Sequence, residues 1–170
     1  FVRGASADAV GSSGRIVLQT NQPAVADGDI IGRIDWNAPA EHSTDGNEVA
    51  ASIWAEADDT FAADNNSAEL VFATGASEIA VEVMRLTHDG ELGIGVATPA
   101  SLLHVAGTVQ VGVDNTGHDV KFFGATSGKS LLWDESADSL IVTGTTTLIG
   151  TTNLDAVDID GAVQIDAAFT

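Results

Sequence analysis

Glycine at every second position of Leu92-Gly93-Ile94-Gly95 is the feature that most restricts how this chain folds. Side chains of an extended strand alternate between its two faces, so this spacing strips one face bare and lets another backbone approach it closely. The bare face is expected to receive a second copy of the same chain. Turn signals flank the strand, His88-Asp89-Gly90 before it and Thr98-Pro99 after it. The wider stretch from Met84 to Gly107 divides the sequence. Alternating apolar and polar runs precede it, and shorter apolar pieces punctuated by Gly, Thr or Asp follow it.

The clearest alternation upstream lies in Gly28 to Trp36, where Ile30, Gly32, Ile34 and Trp36 share one face and Ile31, Arg33 and Asp35 the other. Arg15 to Thr20 is a first strand candidate, and residues 1–13 are small and polar. Asn37 to Gly46 reads as a loop. Residues 47–64 fit two periods. Val49, Ala51, Ile53 and Ala55 line a strand face, whereas Val49, Ile53, Ala57 and Phe61 line a helix face. The strand reading, ending near Glu56 with a loop from Asp58 to Ser67, matches its neighbours. Glu69 to Thr74 and Glu78 to Leu86 form a hairpin around Gly75-Ala76-Ser77. Downstream, Leu102 to Val105, Thr108 to Val113, Asp119 to Phe123, Ser130 to Trp133 and Ser139 to Val142 are brief strands.

Repetition marks the last third. Gly107-Thr108-Val109-Gln110-Val111 returns as Gly161-Ala162-Val163-Gln164-Ile165, and Gly144-Thr145-Thr146-Thr147-Leu148 is echoed by Gly150-Thr151-Thr152-Asn153-Leu154. Short repeated β units point to a stacked architecture. The expected fold class is all-β: a β-rich domain over 1–90, a glycine-rich transition over 91–107 and a repetitive, trimeric, intertwined β shaft over 108–170.

Composition supports a shared interior. The hydrophobic fraction is 44%, but 26 of those residues are Ala, with three Trp and six Phe as large aromatic groups. That is a thin core for a solitary subunit. The absence of Cys removes disulfides, thiol catalysis and Cys-based zinc sites together. Six Lys and Arg against 25 Asp and Glu give a formal charge of −19, a surface unsuited to nucleic acid or an anionic membrane. No run of 18 apolar residues exists, so no membrane insertion is expected. No basic-then-apolar leader follows Phe1, and a start on Phe suggests a processed product or a piece of a longer chain.

Motifs for chemistry are weak. Gly124-Ala125-Thr126-Ser127-Gly128-Lys129-Ser130 has three residues between its glycines where a phosphate loop needs four, and no helical pattern follows; a hairpin turn is expected. His42, His88, His104 and His118 pair at no ligand spacing, so no metal site and no cofactor are assigned. No Gly-x-Ser-x-Gly elbow is present. Asp45 to Glu48, Asp58-Asp59 and Asp155 to Asp160 read as solvated turns rather than calcium loops, and the chain is expected not to be an enzyme.

The order Met84-Arg85-Leu86, Asp89-Gly90-Glu91-Leu92-Gly93-Ile94-Gly95, Thr98-Pro99, Leu102-Leu103-His104-Val105 and Gly107 resembles tail-fibre and related fibrous virion proteins of bacteriophages. There a similar stretch joins a β domain to a fibrous part, and many members carry a self-cleaving chaperone domain, to which no residue here is assigned. This chain differs in placing Val96-Ala97 between Gly95 and Thr98. Gly32 to Trp36 and Glu69 to Thr74 look like that family's strands before the linker, and Asp119 to Lys129 with Leu132 to Asp138 look like repeat units of marine phage fibres. The resemblance implies a parallel homotrimer in a virion, outside the cell, that serves as a stiff spacer for host attachment. Its implied partners are other copies of itself, other virion proteins and a host surface glycan. On that reading Gly93, Ile94, Gly95, Leu102, Val105, Val109 and Val111 face the oligomer interface. A carbohydrate-binding adhesin using Trp54 or Trp133 is the alternative, and a polysaccharide depolymerase fragment a more distant one.

Overall fold

The computed structural model describes residues 16–40, 46–76 and 78–149. It is all-β, with no helix among the described residues. The chain divides into two units, residues 1–109 and 110–170.

The first unit holds one six-stranded sheet in the order β1-β2-β3-β4-β5-β6: β1 Ile30–Asn37, β2 Val49–Ala57, β3 Ala68–Thr74, β4 Val81–Leu86, β5 Leu92–Ile94 and β6 Leu103–Val105. Neighbours are antiparallel except β5 and β6, which run parallel. The two-period ambiguity at 47–64 resolves as β2 followed by a loop, because β2 pairs on both sides, with β1 and with β3. The stretch 91–107 contributes both β5 and β6 to this sheet.

Three expectations are corrected. Ile16 to Thr20 is not a strand; Leu18 lies flat on the sheet at Gly32, where a β-carbon would come within 2.6 Å of Leu18 Cβ. A register shift between Ile30 and Gly32 sets Ile30 opposite Glu56, so the expected alternating face starts at Gly32 rather than Ile30. Thr108 to Val113 forms no strand either. Val113 makes only a bridge to Thr116, across a turn with Asn115 at a positive φ of 60°.

Gly93 is buried, and its own chain fills the space beside it. A β-carbon there would sit 2.3 Å from the Val96 carbonyl oxygen and 2.9 Å from Pro99 Cγ. The connection from β5 to β6 thus crosses over Gly93, which corrects the expectation that a second copy takes that space. Gly95 is required for a different reason: its φ of +71° starts the crossover.

The second unit is a three-stranded antiparallel meander: β7 Val120–Phe123, β8 Ser130–Asp134 and β9 Ser139–Thr143. Gly124 to Lys129 is the expected hairpin turn, closed by Gly124 N–H donating to the Lys129 carbonyl at 2.8 Å. Asp134 organises the next turn. Its Oδ1 accepts from the Ser136 hydroxyl (2.7 Å) and from the backbone N–H groups of Ser136 and Ala137. The Ser136 hydroxyl above all holds the Asp134 carboxyl below the usual range. The repeat copies at 150–154 and 161–165 lie outside the described residues.

Candidate functional site

Cross-strand partners share a face, so the register shows what each face of the large sheet carries. One row runs Ile34, Ile53, Phe72, Met84, Ile94, Val105 across all six strands, and the next runs Gly32, Ala55, Leu70, Leu86, Leu92, Leu103. No polar residue interrupts either row. A sheet face this apolar ordinarily packs against a second layer. Here Ile34 is 44% exposed, Leu70 38%, Leu86 41%, Ile94 40% and Leu103 61%. Trp36, on the same face opposite Ala51, is half exposed. Ile16 and Leu18 line a groove on this face, at its β1 side, with Gly32, Ile34, Ile53 and Leu70.

The opposite face is polar and tied together. The row Arg33, Trp54, Val71, Arg85, Gly93, His104 buries Val71 completely. Arg33 lies over the Trp54 ring at 5.2 Å, and Trp54 Nε1 donates to Glu56 at 2.8 Å. Arg85 anchors the face: its guanidinium bonds Glu56 (3.1 Å), Glu82 (2.6 Å) and Glu69. These contacts, Glu82 foremost, hold the guanidinium firmly protonated against its own burial. Burial pushes the Glu69 carboxyl up, Arg85 pulls it back, and Asp58 pushes it up again.

At the next position along this face, the Ser52 hydroxyl donates to Asp35 Oδ1 at 2.6 Å, and Arg33 donates to the same carboxylate. Ser52 first, then Arg33, holds the Asp35 carboxyl below its ordinary value. A carboxyl with a lowered folded pKa stabilises the fold above the unfolded value and loses that contribution as pH falls through the folded one. Ser52→Ala is therefore expected to raise the Asp35 pKa, read by carboxyl NMR titration. An unchanged midpoint would refute the assigned cause.

Of the residues expected at an interface, Ile94 and Val105 are cross-strand partners on the open apolar face. Gly93 lies on the polar face under its own crossover, and Gly95 serves the turn. Leu102 is exposed just before β6, while Val109 and Val111 are exposed outside any strand. Sequence reading did not assign Phe72, Met84, Leu70 and Leu86 to these rows. In β4 the alternation of Met84 and Leu86 about Arg85 was the available signal.

The second unit repeats the theme. Val120, Trp133 and Leu140 form one row and Phe122, Leu131 and Val142 the next, giving an apolar face with Phe122 63% exposed. Lys121, Leu132, Ile141, Phe123, Ser130 and Thr143 occupy the other face. Trp133 is thus part of an apolar row, and Trp54 already spends its N–H on Glu56.

His88 reaches Asp58 and Glu69, one ligand atom from each lying within 4.8 Å of the others. The Asp58 to Ser67 loop closes by Asp58 N–H donating to the Ser67 carbonyl, and Thr87 braces the His88 turn by accepting from Gly90 and Glu91. Comparison with protein-family models finds no match to the chain, and comparison with curated proteins finds no significant one.

Proposed function

We propose that this protein is a structural, self-assembling fibre component: a homotrimer that acts as a stiff spacer in a virion appendage of the tail-fibre kind, used in host attachment. One observation carries the self-assembly: two uninterrupted apolar rows across a six-stranded sheet, with no second layer over them among the described residues. A single sheet has no interior until something covers it, and exposed apolar surface of this extent marks an association face. The separate apolar face of the β7–β9 meander supports the same reading in the second unit. The fibre and virion context rests on the sequence resemblance. The polar face, with its charges spent on one another, suits a wall that stays in water.

Light scattering tests this directly. Three copies of 17.3 kDa give about 52 kDa; a particle of one or two copies at micromolar concentration would overturn the trimer. A trimer also carries 3 × (−19) = −57 formal charges. Salt screens repulsion among like-charged chains over a Debye length of about 8 Å at 0.15 M. Raising NaCl tenfold from about 50 mM is expected to increase the trimer fraction of a dilute sample, read by sedimentation velocity. Indifference to salt would remove repulsion as a limit on assembly.

A further inference from the structure

We propose that Asp58, Glu69 and His88 form a binding site for one divalent transition-metal ion of the zinc type. The three come from different elements that the sheet order brings to one end. Asp58 follows β2, Glu69 is the second residue of β3, and His88 lies in the turn after β4. One donor atom from each falls within 4.8 Å of the other two. A tetrahedral zinc with arms of 2.0–2.1 Å needs donors about 3.3 Å apart, so only small adjustments of two surface side chains and Glu69 are required.

The imidazole gives a second, separate reason. His88 Nδ1 lies 2.7 Å from Asp58 Oδ2, while Nε2 lies 3.3 Å from Asp89 Oδ1. A metal ion held by Nδ1 and Asp58 leaves Nε2 to Asp89, the carboxylate–histidine–metal arrangement that orients a ligating ring. Local charge favours a cation as well. Arg85 is committed to Glu56, Glu69 and Glu82, so the carboxylates here outnumber the guanidinium even before Asp58 is added. Glu69 is only 7% exposed and gives Oε2 to Arg85, which fixes the carboxylate in place for a second interaction. One nitrogen and two carboxylate oxygens suit zinc, cobalt or nickel, whereas calcium takes six to eight oxygens and no imidazole.

The test is a zinc titration of the full chain after chelator treatment, by calorimetry with native mass spectrometry for stoichiometry. The expected result is one saturable zinc per chain, not displaced by an equal concentration of calcium. His88→Ala and Asp58→Asn are each expected to weaken binding at least about tenfold, and His118→Ala to leave it unchanged. Far-UV circular dichroism checks that each variant keeps its sheet. Absence of a one-per-chain isotherm, or wild-type affinity in both His88→Ala and Asp58→Asn, would overturn the site. Oligomeric mass measured with chelator present separates this outcome from that of the assembly proposal, which requires no metal.

Discussion

If the proposed trimer forms, Ile94→Asp combined with Leu103→Asp is expected to leave a 17.3 kDa monomer at concentrations where the wild type associates. Both residues belong to the apolar rows, on adjacent strands β5 and β6, and both are well exposed within one subunit. The subunit therefore tolerates carboxylates there, since each can stay in water. In the proposed assembly the same positions would be covered, and an unpaired buried charge costs several kcal/mol even after relaxation. A penalty of about 3 kcal/mol per subunit interface weakens association about 150-fold, because each 1.4 kcal/mol is tenfold. Sedimentation equilibrium reads the effect, with circular dichroism to confirm an intact sheet. The matched change Lys121→Asp, on the mixed face of β7, is expected to leave association by the large sheet intact. Wild-type mass in the double variant would show that the six-stranded face is not where copies meet.

The all-β character was legible because period-2 alternation survives wherever one face of a strand is apolar, as in Gly32 to Trp36. The turn at Gly124 to Lys129 was legible from spacing alone. What was not legible depends on pairing. The register shift at Ile30 leaves no trace in residue types, and the lone bridge at Val113 has the same composition as a strand. Gly93 is instructive. Its spacing correctly announced a close approach of backbone, but a sequence cannot say whose, and the chain's own eight-residue crossover supplies it. The proposed metal-ligand set is the extreme case. Asp58, Glu69 and His88 have no mutual spacing that suggests coordination, and only the β2-β3-β4 order brings them together. Arg85 carried a signal that could have been used: it is one of six cations in the chain, set in a strand whose other residues are apolar apart from Glu82. Such a residue must find carboxylates.

That isolation makes Arg85→Met the substitution with the largest expected effect on the fold itself. Arg85 sits opposite Val71 and Gly93, and its guanidinium is the shared partner of Glu56, Glu69 and Glu82. Glu56 and Glu69 are direct cross-strand partners, a like-charge pair tolerable only with a cation between them. Methionine keeps the apolar stem over Val71 but leaves the carboxylates unpaired. Removing one member of a largely buried ion cluster costs about 3–5 kcal/mol, and the partial exposure of Glu56 and Glu82 places the expectation near the lower end, about 3 kcal/mol at pH 7.5. The pH dependence distinguishes electrostatics from packing. Burial already holds the Glu69 carboxyl above its ordinary value, so Glu69 withdraws stability above that folded value and returns it as pH falls through it. Without Arg85 the carboxyl rises further, and protonation relieves the repulsion. The deficit of Arg85→Met is therefore expected to shrink on acidification toward pH 4.5, measured as the gap in urea midpoint between variant and wild type. Arg85→Lys, which keeps the charge but cannot fork to three carboxylates, should fall between the two. A gap that stays constant from pH 7.5 to 4.5 would assign the loss to packing over Val71 rather than to the three carboxylates.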